Sequence, residues 1–289
     1  AAADASKSRR LVLCGDPLQL PPVLSSQLAS EAGLDVSPME RLLAIREKDP
    51  ERVALRFLDE QRRMHPAIAE YPNRTYYGGR VRDAAAVVAR PRPDWFPYSI
   101  YVDRSPLAPR TIVDVGRGRA QKDGSSLYNR AEVEAVEDVV AALLRSLPAR
   151  APADVAVISF YAAQVRSLDR ALEPYRRRLG AGQTLRVGTV DAFQGGEADA
   201  VIISAVRAPG AGRDDDVGFV ADARRFNVAL TRAKHALLVV CHAATLRYAT
   251  SNRGQTVDHV RGLIEDADAR GDVVDETSLQ RRGRDDDYR

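Results

Sequence analysis

The sequence predicts an α/β fold built on a mostly parallel sheet. Two observations carry the prediction. Short runs rich in Val, Ile and Leu recur along the chain, and between them apolar residues return at spacings of three and four. Short apolar runs read as buried strands, and the longer spacing marks one face of a helix. Their alternation implies βα units, whose strands run parallel.

In chain order, Leu11 to Cys14 is an apolar run ending at Gly15-Asp16-Pro17, read as a buried strand entering a turn. Pro38 to Ile45 reads as a helix, Val53 to Leu58 as a strand and Ala67 to Arg74 as a second helix. Residues 84 to 97 hold prolines without periodicity and read as loop, and Ser99 to Val102 as a strand. Residues 103 to 125 are rich in Gly, Pro, Arg and Asp and predict a long surface excursion. Val133, Val136, Val140, Leu143 and Leu147 then mark a helix, and Val165, Leu168, Leu172, Tyr175 and Leu179 another. Strands are predicted at Val155 to Ile158, Leu185 to Val190, Val201 to Ala205 and Ala236 to Cys241, with a helix over Asp222 to Ala233. From about Arg270 the chain is dominated by Asp and Arg and predicts a disordered tail.

No run of about 18 apolar residues is present, so no transmembrane helix is expected. Residues 1 to 10 have no apolar core of signal-peptide type. Cys14 and Cys241 lie in apolar stretches and read as reduced, buried strand residues of an intracellular protein. Of 43 basic side chains only Lys7, Lys48, Lys122 and Lys234 are lysine. The arginine excess reads either as genome composition or as phosphate recognition, which suits the guanidinium fork. None of the four lysines follows a glycine, so these 289 residues contain no Gly-Lys-Ser/Thr phosphate loop.

Four segments carry candidate chemistry. In Gly15-Asp16-Pro17-Leu18-Gln19-Leu20-Pro21-Pro22, Gln19 follows a strand, where a glutamine can orient water or meet a terminal phosphate. Taken alone it also reads as a proline-stiffened turn. In Glu60-Gln61-Arg62-Arg63-Met64-His65-Pro66, the paired arginines suit bidentate phosphate contacts or a solvated basic face. His65 has no partner at metal-ligand spacing and reads as structural. In Val187 to Glu197, a strand enters a turn holding Asp191, Gln194, Gly195 and Gly196. Glu197 can accept from sugar hydroxyls there, and the amides can meet phosphate. In Arg224 to Lys234, Arg225 and Arg232 lie seven apart, on one face of a helix. A row of cations there suits a triphosphate, a nucleic-acid backbone or plain solvation.

In this order the four segments resemble motifs III, IV, V and VI of superfamily 1B helicases of the nonsense-mediated-decay type. Ala32-Gly33-Leu34 to Leu42, Tyr76-Tyr77-Gly78-Gly79, Ser126 to Glu132 with Asn129, Ser159 to Gln164 and Val206-Arg207-Ala208 add further agreement, over about residues 10 to 245. The resemblance implies two RecA-like lobes of the P-loop NTPase fold with ATP between them. Residues 1–58 are then the end of the first lobe, 59–260 the second lobe, and 261–289 a charged tail. It implies Gln19 as γ-phosphate sensor, and Arg63 and Arg232 as arginine fingers. Gln61, Arg62, Gln194, Gly195 and Glu197 line the nucleotide, and Asp16, Asp191 and Arg225 support loop geometry and coupling. Pro21, Tyr161 and Thr189 are candidates for contact with single-stranded RNA or DNA.

ATP and Mg2+ are the implied cofactors, with the Walker A loop and the Asp-Glu box expected before residue 1 and no metal ligand in this chain. Leu58-Asp59-Glu60 mimics that box but falls after motif III and is rejected. Arg62 departs from the family's usual aromatic residue. The isolated chain is therefore expected to be inactive. RNA is preferred over DNA, RNA-decay or ribonucleoprotein partners are implied, and the expected compartment is cytoplasmic or nuclear. The alternative is a module that binds nucleic acid or a partner without hydrolysing ATP.

Overall fold

The computed structural model describes residues 12–22, 24, 26–91, 93, 101–102, 105–147, 153–210, 216–251 and 253–279. The chain separates into two compact units, residues 1–58 and 59–289.

The smaller unit contains two helices, α1 (Gln27–Glu31) and α2 (Pro38–Lys48). The start of α2 is fixed by a reciprocal capping box. The Ser37 hydroxyl accepts from the Glu40 amide, the Glu40 carboxylate accepts from the Ser37 amide, and Pro38 pre-sets the first turn. The expected strands at 11–14 and 53–58 do not form among the described residues. Leu11 itself lies outside them. An apolar run becomes a strand only by hydrogen bonding to a neighbour, and no strand is described in this unit. Val12 and Leu58 stay exposed. Cys14, expected to be buried, is exposed as well, whereas Cys241 is buried.

The larger unit is organised on a six-stranded, wholly parallel sheet. Its strands are β1 (Arg110–Asp114), β2 (Ala153–Ser159), β3 (Gln183–Thr189), β4 (Ala198–Ser204), β5 (Ala233–Cys241) and β6 (Val273–Asp275). The order across the sheet is β6-β1-β5-β4-β2-β3. The helices of this unit include α3 (Pro66–Tyr77), α4 (Arg130–Ser146), α5 (Ala162–Arg176), α6 (Ala223–Leu230) and α7 (Asp258–Arg270). β4 and β5 read Val-Ile-Ile and Leu-Leu-Val-Val without alternation, as strands covered on both faces do. Val136, Val140 and Leu143 of α4 and Leu168 and Leu172 of α5 complete the core.

Two expectations give way here, and a third is met where the chain is described. Residues 103–125 are not one surface excursion. They contain β1, a buried inner strand, and then a hairpin of Gln121–Asp123 with Ser126–Tyr128. The apolar signal of β1 is only Thr-Ile-Val between two charged residues. Arg110 is nevertheless 2% exposed, because it pairs with Asp266 and lies over the Tyr71 ring. Those partners are distant in sequence. The tail expected from 261 onward is ordered structure through residue 279. Val260, Leu263, Ile264 and Ala267 bury one face of α7, and β6 adds to the sheet beside β1. Residues 280–289 lie outside the described residues. Finally, the expected strand over 99–102 is represented by Tyr101–Val102, paired with Ser105–Pro106, while 99 and 100 are not described.

Candidate functional site

Two loop systems hold the sequence-selected residues of the larger unit, at opposite ends of the sheet. The first lies at the amino ends of β4 and β5. Glu197 immediately precedes β4, and Thr231 and Arg232 immediately precede β5. Arg63 reaches both. Its Nε donates to Glu197 Oε2 at 2.9 Å, and its Nη1 donates to the Thr231 carbonyl at 2.8 Å. Arg232 is 2% exposed. Its guanidinium donates to the Val228 carbonyl at 3.0 Å, the Gly196 carbonyl at 3.2 Å and Thr231 Oγ1 at 3.0 Å. Arg63 and Arg232 are thus anchored on the same residue, Thr231.

Gln61 shapes the turn that aims Arg63. Its Oε1 accepts from the amides of Arg63 and Met64, and its Nε2 donates to the Met64 carbonyl and to Asp83. Arg62 is exposed and pairs with Glu60 at 2.6 Å. His65 caps α3, its Nδ1 accepting from the Ala67 amide, and its own amide donates to the Lys234 carbonyl. Sequence reasoning left Lys234 without a role, yet its Nζ lies 3.1 Å from Glu197 Oε1. Bonds from Arg63 and Lys234 hold the Glu197 carboxyl below its ordinary range, against a smaller opposing effect of burial. Glu197 remains substantially exposed beneath these two cations. Gly195 has φ +79° and open space where a side chain would be. An exposed carboxylate, a glycine turn and cations on one edge form a donor and acceptor set that fits a nucleotide's hydroxyls and phosphates. No group of three or more His, Cys, Asp or Glu able to hold a metal occurs among the described residues.

The second system lies at the carboxyl ends of β2 and β3. Asp191 follows β3 and takes a two-pronged ion pair from Arg225, 3.1 Å on each arm. Arg225 sits in the first turn of α6, which ends at Leu230. Arg225 and Arg232 therefore do not share a helical face. The loop from Asp191 to Gly196 meets Arg225 at one end and Arg232 at the other. Thr189 is half-buried, its Oγ1 3.4 Å from the Ala192 amide. Tyr161 is 4% exposed, so its ring is not available as a stacking surface. On the smaller unit, Asp16 caps its own turn, accepting from the Leu18 amide through Oδ1 and from the Gln19 amide through its carbonyl. Gln19 and Pro21 are both partly buried in that unit.

Beneath the second system is a buried polar network. Glu132, fully buried near the start of α4, accepts from Ser204 Oγ at 2.6 Å, the Val206 amide at 2.8 Å and Asn129 Nδ2 at 3.2 Å. Gln164 of α5 donates to Ser204 Oγ and to the Asn129 carbonyl. Burial pushes the Glu132 carboxyl up to about 8, with the bonds from Ser204, Val206 and Asn129 opposing. The network holds Val206 at φ +71°, the one positive φ outside glycine among the described residues. That conformation is strained for a β-branched side chain.

Helicase-related proteins are similar to this chain in sequence. It is 31% identical over 274 residues to the probable helicase senataxin of Homo sapiens, and 32% identical over 242 residues to a regulator of nonsense transcripts 1 homolog of Neurospora crassa. It is 31% identical over 245 residues to the helicase SEN1 of Saccharomyces cerevisiae. These alignments cover 93%, 80% and 82% of this chain, and 9%, 20% and 10% of those proteins. The AAA domain family model matches residues 34–244. The chain belongs to this AAA-domain family, in its superfamily 1B helicase branch. As a helicase-family domain it spans a fifth or less of these three relatives. Among the described residues, no helix is long and apolar enough to cross a membrane.

Proposed function

We propose that this chain is the C-terminal part of an ATP-dependent helicase, supplying the arginine side of the ATP site and part of a single-strand track. The observation that carries the reading is the joint anchoring of Arg63 and Arg232 on Thr231, beside Glu197 and Gly196. Charge spreads onto phosphoryl oxygens during transfer, and a guanidinium placed there stabilises it. Arg63 is the more accessible of the two; a phosphate oxygen competes with Glu197 for its Nε. Glu197 so released accepts from ribose hydroxyls, and Lys234 keeps it ionised. Gln61 holds the turn, Gln194 and Gly195 line the nucleotide, and Arg62 stacks on the base side. Arg225 and Asp191 tie the same loop to the opposite end of the sheet, which couples the two systems. Gln19 and Asp16 act as phosphate sensor and its support. ATP bound with Mg2+ supplies the phosphoryl group, and the magnesium ligands belong to sequence other than this chain.

Single-stranded RNA is the preferred polymer, supported by the relatives named as regulators of nonsense transcripts; backbone contacts make binding salt-sensitive. The proposed compartment is cytoplasmic or nuclear. A second reading, a binding module without turnover, is favoured by the burial of Arg232 among carbonyl acceptors. The test separates them. The coding sequence upstream of Ala1 should hold an in-frame Gly-Lys-Thr loop and Asp-Glu box. In the protein that includes it, Arg232→Ala should lower ATP turnover by about 10³-fold. Turnover by purified residues 1–289 alone, or an unchanged rate in Arg232→Ala, sinks this reading.

A further inference from the structure

We infer that Phe219 is a stacking platform for a nucleobase of a single strand, at the carboxyl ends of β2 and β3. The inference rests on the single-strand track proposed above and assigns it a residue. Phe219 is 55% exposed. Burying a phenylalanine is strongly favourable, so exposure forgoes a substantial stabilisation. A single exposed apolar residue needs no explanation by itself; what calls for one here is the mount beneath the ring.

Gly218, immediately before it, has φ +50°, and a side chain at that position would bring its first carbon within 2.5 Å of the Tyr161 hydroxyl. Only glycine fits. The Tyr161 hydroxyl accepts from the Phe219 amide at 3.3 Å, and the two rings lie 5.4 Å apart at 48°. A side chain at Gly218 would also come within 3.4 Å of the Arg207 guanidinium, which holds the Asp216 carbonyl through Nε at 2.6 Å, while Asp216 Oδ1 accepts from the Gly218 amide. Arg207 follows the strained Val206, which the buried Glu132 and Asn129 pin through its amide and carbonyl. A continuous, largely buried set of bonds therefore runs from the start of α4 to an aromatic ring left in water. The Arg225 guanidinium lies over that ring, 5.6 Å from its centre, and is itself fixed by Asp191.

A rigid, exposed aromatic ring backed by a planar cation offers what an unpaired base takes: a π surface at little entropic cost. Bases inside a duplex are already stacked, so the chemistry selects single strands. It does not read the sugar, so RNA and DNA are both accepted. Tyr161 acts beneath Phe219 as a positioning residue.

The test uses the 289-residue chain and a fluorescein-labelled oligouridylate of about 12 nucleotides, with an oligothymidylate of equal length, titrated by anisotropy at low salt. Phe219→Ala should weaken both by about tenfold. Phe219→Trp should bind at least as tightly as the wild type, and Phe219→Leu should stay as weak as Phe219→Ala. Wild-type binding that Phe219→Ala and Phe219→Leu leave unchanged overturns this inference and leaves the proposed function standing. Such a result points to a protein partner for the ring. Absence of salt-sensitive binding by the wild-type chain overturns the proposed track, and this inference with it.

Discussion

Replacing Glu132 by Gln tests the buried network directly. The carboxyl is fully buried and accepts three hydrogen bonds, from Ser204, Val206 and Asn129. Glutamine keeps the shape and one acceptor oxygen. Its oxygen can keep the Ser204 and Val206 bonds, which fall on one carboxylate oxygen, but its NH2 then faces the Asn129 NH2, so one bond is lost and one buried donor is left unsatisfied. That costs about 1–3 kcal/mol. The second consequence concerns pH. Burial pushes the folded-state carboxyl up to about 8, whereas the unfolded one titrates near 4.5. Between those values the folded chain binds the extra proton, so stability is full at low pH and falls as pH rises toward 8. The slope reaches at most about 1.4 kcal/mol per pH unit. Between about pH 6 and pH 8 the wild type should lose about 2 kcal/mol that Glu132→Gln keeps. Urea unfolding of both proteins, followed by circular dichroism across that range, measures the difference. Parallel pH profiles for wild type and variant refute the reasoning, whatever their offset.

Two further predictions follow from single positions. Gly218→Ala places a carbon against the Tyr161 hydroxyl in a left-handed turn and should cost about 1–3 kcal/mol in urea unfolding, while Gly271→Ala, with open space around it, should cost less. Asp266→Asn removes the carboxylate shared by Arg74, Arg110 and Arg270. Arg110 is 2% exposed, so the loss should be about 3–5 kcal/mol, read as a lowered urea midpoint; a change below 1 kcal/mol on the same scale contradicts a structural role for this cluster.

The β2–α5–β3–β4 course was legible because β2 and β4 are apolar runs buried on both faces while α5 buries one face through Leu168 and Leu172, and both patterns report burial. β1 was not, since two of its five residues are charged and Arg110 is neutralised by a residue on α7. α7 carried a legible stripe, Val260, Leu263, Ile264 and Ala267, that an Asp- and Arg-rich composition obscured. At the candidate site, the residue types were readable but their grouping was not. Arg225 and Arg232 share a spacing, yet α6 stops at Leu230 and sends them to opposite ends of the sheet. Tyr161 was a candidate for nucleic-acid contact through the family resemblance, and only packing reveals that it supports Phe219 rather than meeting solvent itself. Lys234 gave a signal in its rarity, as one of four lysines, but no pattern tied it to Glu197.

The edge strand β6 sets Asp275 beside Asp114 of β1, the earliest strand of the sheet. During synthesis the ribosome must therefore release nearly the whole larger unit before the sheet can acquire its last strand. Until then β1 has one open edge, able to pair with a neighbouring nascent chain. Expression boundaries drawn at the end of the family match, residue 244, leave that edge bare and invite aggregation.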